Sequence, residues 1–158
     1  MATGSISWFS AGLLQLGTKI HDLTSDTLKL GIVTTATVPT IDTAVPHWGG
    51  TGTTNFATNQ VGTGGGYTGP ITLASVTFTE IGTGPKVPTL RATDVTIAQN
   101  ASGFANGAYG IIYNDTDTNK RALGFIELSS TGALSIVSGS VTIDFQGAGT
   151  DVLRITPS

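Results

Sequence analysis

Apolar residues recur near the start of the chain at Ile6, Phe9, Leu13, Leu16 and Ile20, with Trp8 and Leu14 beside them. Steps of three and four place them on one side of a helix, so the pattern predicts one short amphipathic helix within an N-terminal segment, 1–22. Ser5 or Ser7 would cap it. Gly12 and Gly17 weaken it, each by about 1 kcal/mol relative to Ala. The period then shortens to two. Residues 27–33 alternate and are rich in β-formers, which predicts a first strand.

A long irregular stretch follows at 34–69, holding Pro39, Pro46, the turn signal Trp48, Gly49, Gly50 and the glycines at 62 and 64–66. A loop of that length is unusual inside a domain. It reads either as a functional arm or as turns around short edge strands. Alternation returns at 71–80, with Ala74, Val76 and Phe78 on one face, and again at 90–98, where Val95 and Ile97 alternate with Asp94 and Thr96. A turn is expected at 82–85 and a loop at 100–107. The continuous apolar run 108–113 predicts a central strand. The polar tip 114–119 and the segment 121–128 complete a hairpin. Further strands are expected at 133–137, 141–145 and 152–155. The expected fold is mainly β, a β-sandwich or jelly-roll-like single domain over 1–158 with a short N-terminal α-helix.

Composition narrows the possibilities. Charged residues make up 11% of the 158, less than half the usual share of about 25%, while hydrophobic residues reach 39%. Such a chain has the apolar content to fold and relies on hydroxyls and backbone, not ions, at its surface. It has no cysteine, which removes disulfides and thiolate metal sites. The net charge of −3 comes with no basic stripe, so nucleic-acid binding by counterion release is not expected. No apolar run reaches the roughly 20 residues of a membrane span, and the first residues lack the positive start of a secretory signal. Synthesis in the cytoplasm of a host and no membrane partner are expected.

Few groups offer chemistry. The run Gly64, Gly65, Gly66, Tyr67, Thr68, Gly69 lacks the Lys and Ser or Thr of a phosphate loop and leads into Pro70 and a strand. His21 and His47 each have one nearby carboxylate, Asp22 and Asp42, short of a converging site. No Gly-x-Ser-x-Gly elbow occurs. The tip Asn114, Asp115, Thr116, Asp117, Thr118, Asn119 has oxygens at alternate positions like a calcium loop but lacks the glycine and closing glutamate of an EF-hand. Glu80 and Glu127, the only glutamates, give no reason to be paired across a cleft. Asn100 and Asn114 head glycosylation-type triplets. No catalytic residue, cofactor or metal is expected, and the chain reads as a binding module, not an enzyme. Its interface candidates are the large aromatics Trp8, Phe9 and Trp48.

Several segments together resemble a family. The N-terminal helical segment is followed by the run from Leu23 through Asp26 to Leu30, by Gly64, Gly65, Gly66 and Tyr67, by Ala92, Thr93, Asp94 and Val95, by Tyr109, Gly110, Ile111, Ile112 and Tyr113, and by Val141, Thr142, Ile143, Asp144 and Phe145. This order is similar to that of small virion structural proteins of tailed phages, some of which resemble capsid decoration (cement) proteins. The resemblance implies a homotrimer on the capsid surface that binds the major capsid protein and stabilises its lattice. The segment 45–61, with Trp48, is longer than the group would have. A tail or fibre module binding host glycan, or a tail-tube or connector component, are the alternatives.

Overall fold

The structure, a computed structural model, describes residues 6–82, 87–145 and 153–154. In chain order its elements are β1 (Ile6–Trp8), α1 (Ser10–Gly17), β2 (Leu28–Val33), β3 (Pro46–His47), β4 (Thr54–Asn55), a 3-10 turn (Phe56–Asn59), β5 (Ile71–Thr72), β6 (Thr77–Ile81), β7 (Val87–Arg91), β8 (Val95–Ile97), β9 (Tyr109–Asn114), β10 (Ala122–Glu127), β11 (Val141–Ile143) and β12 (Leu153–Arg154). The chain is mainly β, as its alternation predicts, with one α-helix and several antiparallel sheets.

The largest sheet has the order β1-β10-β9-β2-β5, every neighbour antiparallel. Its middle strands, β9 and β2, are apolar in both directions because both faces of the sheet are covered. Leu28, Leu30, Ile32 and Ile112 face the main core, together with Leu123 and Ile126 of β10. Val33, Ile111 and Tyr113 face a second, smaller cluster with Phe9, Trp48, Phe56 and Ala122. The central strand expected from the run 108–113 is therefore β9, and its hairpin with β10 forms as expected.

Two expected strands each divide in two. The segment 71–80 splits because Ser75 takes a left-handed φ of 51°, which turns the chain. β5 thus joins β2, while β6 pairs with β7 in a different sheet. Likewise 90–98 splits into β7 and β8. Between them the Thr93 N–H donates to the Ala74 carbonyl and the Asp94 carboxylate accepts the Phe145 N–H. β8 then pairs with β11. Residues 133–137 do not form a ladder. They zip onto the 100–107 loop through Leu134–Gly107 and Ile136–Phe104 bonds, with Asn100 donating to the Ile136 carbonyl. Apart from Gly82, the turn expected at 82–85 lies outside the described residues, as do the ends of the last expected strand.

The N-terminal helix is shorter than its apolar spacing predicts. Residues Ile6–Trp8 pair with β10 as an edge strand instead, and Phe9 keeps extended backbone before the helix starts at Ser10. Ser7 therefore lies in a strand, Ser5 lies outside the described residues, and no side chain among the described residues caps the helix.

Of the two readings of 34–69, turns around short strands is the one found. β3 and β4 pair in parallel, and Asn55 caps the 3-10 turn by accepting the Ala57 N–H. The segment carries Trp48 and Phe56 onto the second face of the main sheet. The glycine run is a two-residue hairpin: Gly64 and Tyr67 exchange both backbone bonds, with Gly65 and Gly66 at φ of 42° and 87°, values open to glycine at no steric cost. The hairpin presents Tyr67, whose hydroxyl oxygen accepts the Ile32 N–H at 3.0 Å.

Candidate functional site

The three aromatics expected at an interface do not share one role. Phe9 is completely buried, its ring 5.9 Å from Phe56 and 5.1 Å from Phe125. Trp48 is buried and stacks on Tyr113 with ring centres 5.4 Å apart and planes 5° from parallel. Both rings are packed inside the chain. The cause is the second face of the sheet, which is apolar and takes whatever aromatic residues the loop supplies. Trp8 is half-buried and packs against the main core.

The exposed apolar surface lies elsewhere, and α1 explains why. The helix turns Gly12 and Gln15 toward the protein, while Leu13 and Leu14 face out at 47% and 68% exposure. Gly12 is selected by a close approach: a methyl group there would stand 2.6 Å from the Leu123 carbonyl oxygen on β10. With the glycine side fixed inward, the leucines have only the outside. Ile20, Val38, Ile41 and Val45 are exposed as well. The 38–45 segment is fastened to the start of the helix, where the Ser10 N–H donates to the Ile41 carbonyl at 2.8 Å and the Ser10 hydroxyl donates to Asp42 at 3.3 Å. Scattered single apolar residues on a surface are ordinary; here two adjacent leucines stand on the outer side of a helix whose glycine faces in. Sequence reasoning did not single out these leucines because the helical spacing groups Leu13 with Phe9, Leu16 and Ile20 on one side, with Leu14 beside them. The signal that could have found them was Gly12, a small residue among larger apolar ones in α1.

At the far end of α1 a groove of about 400 Å³ opens between Leu16, Lys19, His21, Asp22, Leu23, Thr24 and Phe78. His21 lines it but is already committed. Its Nδ1 accepts from the Asn114 amide nitrogen at 3.1 Å, and its Nε2–H donates to Gln15 at 3.0 Å. The orientation of Asn114 is set because its carbonyl oxygen accepts the Thr116 and Asp117 N–H groups, and its amide also donates to Asp26 at 2.5 Å. Burial holds the His21 imidazole below its ordinary pKa, against the raising influence of Asp117 and Asp26. His47 is buried within β3, and its Nδ1 has no hydrogen-bond partner among the described residues. Burial lowers its pKa too, opposed by a hydrogen bond with the Gly52 backbone. Each histidine sits in surroundings of its own.

The hairpin tip resembles a calcium loop only in sequence. Asp115 lies 2.8 Å from Lys29 and 2.9 Å from Lys120, and Asp117 bonds to Arg121 and to the Asn119 and Arg121 N–H groups. The lysines hold the Asp115 carboxyl below the usual carboxylate range. These carboxylates already have their cations. Among the described residues no three His, Asp or Glu side chains gather as a metal site. Glu80 and Glu127 stand on β6 and β10, strands of different sheets. Asn100 stabilises its own turn by accepting the Ser102 N–H. Among the described residues no helix is long and apolar enough to cross a membrane.

No protein-family model, characterised protein or solved structure matches this chain.

Proposed function

We propose that this chain is a structural protein of a phage particle, a capsid decoration protein that docks on the lattice of major capsid subunits and braces it. The observation that supports this reading best is the outward leucine face of α1 with the apolar 38–45 segment fastened beside it. A sheet covered on both faces gives that surface a stiff support. The surface is poor in charge, so shape and apolar burial, not steering by charge, would recognise the partner.

Energetics favour a multivalent arrangement. Fully burying a Leu, Ile or Val side chain contributes about 1.5–3 kcal/mol, and these residues are already partly buried. Association costs roughly 4–15 kcal/mol in lost freedom, so one copy alone binds weakly. Several copies linked on a lattice bind far more tightly through effective concentration.

The glycan-binding alternative draws less support. Sugar stacking needs an open aromatic face, and Trp48, the aromatic that suggested it, is stacked on Tyr113.

The test is co-sedimentation of the purified protein with capsid shells from which it has been left out, followed by electron microscopy of the particles. Added protein is expected to pellet with the shells and to appear as ordered density at fixed lattice positions. Leu13→Asp with Ile41→Asp should abolish pelleting while the thermal midpoint stays close to the parent's. Protein that remains in the supernatant at every concentration would overturn the reading.

A further inference from the structure

The end of α1 holds a lysine where glycine fits better. The Lys19 N–H donates to the Leu16 carbonyl at 3.1 Å and the Ile20 N–H to the Gln15 carbonyl at 2.9 Å, the paired bonds of a Schellman motif. Lys19 takes its left-handed position, at a φ of 61°. Glycine adopts that backbone without steric cost, and asparagine is the next choice. A lysine there works against the fold and gains no ion pair in return. Among the described residues Lys29 and Lys120 pair with Asp115 and Arg121 with Asp117, while Lys19 has no carboxylate partner.

Lys19 instead lines the groove of about 400 Å³, a size within the roughly 300–1,000 Å³ usual for small-ligand sites. Leu23 is buried in the main core, and Leu16 and Phe78 pack half-buried against it, so the groove has a firm apolar wall. Both ring nitrogens of His21 are committed to Gln15 and Asn114. Asp22 is the acidic residue among the described lining, and its Oδ1 already accepts the Thr24 N–H at 3.0 Å and the Thr24 hydroxyl at 2.6 Å. The Lys19 ammonium is the charge left unanswered there.

We infer that this groove binds a small amphipathic anion, with its apolar body against Leu16, Leu23 and Phe78 and its anionic head at the Lys19 ammonium. Aryl and alkyl carboxylates and sulfonates have this chemistry. A purely apolar ligand would leave Lys19 without a counterion, and a bare inorganic anion would leave the wall wet. A cationic ligand would meet like charge. The site shares no residue with the proposed capsid contact and does not depend on it.

The test is titration of the full chain with anilinonaphthalene sulfonate, beside phenylnaphthylamine, which has the same rings without the sulfonate. Saturable fluorescence enhancement by the sulfonate is expected, with amide shifts at Leu16, Leu23 and Phe78 in heteronuclear spectra. Lys19→Gly should weaken the sulfonate about fivefold, the scale of one exposed ion pair, and leave the affinity for the neutral probe unchanged. Its thermal midpoint should equal or exceed the parent's, because glycine suits the left-handed backbone, so the lost affinity is not a lost fold. Leu14→Asp, on the outer side of α1, should bind the sulfonate like the parent. Absence of saturable binding, or an affinity unchanged in Lys19→Gly, overturns the inference. So does loss of binding in Leu14→Asp, which would move the probe to the exposed leucines.

Discussion

The indole of Trp48 lies directly over Gly31. A methyl group on Gly31 would stand 2.2 Å from the indole Cη2, well inside van der Waals contact, and the indole also stacks on Tyr113. Gly31 sits in the middle of β2, opposite Ile111. A glycine there weakens a strand by roughly 0.5–1 kcal/mol, and here it makes room for the aromatic residue that closes the second face. Gly31→Ala should therefore displace Trp48 and destabilise by about 1–3 kcal/mol, the usual range for overpacking. Trp48→Ala, which empties the same site, should cost about 3–5 kcal/mol. Urea unfolding gives both values, and a red shift in tryptophan emission from Gly31→Ala would report the displacement. An alanine variant as stable as the parent would show that the indole can slide.

Tyr67 does for the edge of β2 what a neighbouring strand would do. β5 pairs with Lys29 and Leu30, and Val61 and Gln60 take up the backbone around Ile32 and Val33, leaving the Ile32 N–H to the Tyr67 hydroxyl. The phenol is fully buried, and burial pushes its pKa up to about 12. Tyr67→Phe should cost about 1–3 kcal/mol, because it leaves a buried donor unsatisfied. Faster amide exchange at Ile32 than at Leu30 in the variant would locate the loss, and an unchanged rate would place a water or another acceptor at that N–H.

Both histidines make stability depend on pH with the same sign. Their folded pKa values lie below 6.5, chiefly through burial, so between the folded value and 6.5 the unfolded chain binds more protons. Stability rises with pH across that window. The contribution is complete above about 6.5 and is lost as pH falls toward the folded values. For His21 the reason is visible: a proton on Nδ1 would point at the amide nitrogen of Asn114, whose oxygen is held by two backbone donors. The urea midpoint should be flat from pH 8 to 7 and decline below about 6.5. His21→Gln should remove part of the decline. A midpoint indifferent to pH between 7 and 5 would contradict this assignment.

Asp115 sets a second window at lower pH. Its folded pKa is below 3.8, first through the hydrogen bond with Lys29 and then through Lys120. Its contribution is present above about 3.8 and is lost as pH falls through the folded value. The carboxylate is partly exposed, so each ion pair is worth about 1 kcal/mol or less. Asp115→Asn should cost no more than the two pairs together at neutral pH and should narrow the gap from the parent below pH 3, as chemical unfolding at both values can check.

The alternation of β2 and the run of β9 were legible because a strand covered on both faces leaves no other use for so many consecutive apolar residues. What the pattern concealed came from single residues that act through tertiary contact. Ser75 breaks one alternating run by taking positive φ, which serine seldom does and which no period betrays. Trp48 looked like a loop anchor because only the fold places Gly31 beneath it. The helical spacing of Phe9, Leu13 and Leu16 is real, yet Phe9 belongs to the second cluster, Leu16 packs on the main core and Leu13 faces out. Burial there follows the contact with β10, not the apolar stripe.

That contact yields a prediction of opposite sign to intrinsic propensity. In an isolated helix Gly12→Ala would gain about 1 kcal/mol. In this chain the added methyl meets the Leu123 carbonyl oxygen at 2.6 Å and the Leu123 Cα at 3.0 Å, both backbone atoms that cannot rotate away. Leu123 sits at a register irregularity in β10, and its carbonyl also accepts the Phe9 N–H at 3.0 Å, so pushing the helix outward strains that bond as well. Overpacking of this kind costs about 1–3 kcal/mol and outweighs the propensity gain. Gly12→Ala should lower the thermal midpoint. A higher midpoint would mean that α1 is free to shift along β10, and the outward placement of Leu13 and Leu14 would then lose the contact that enforces it.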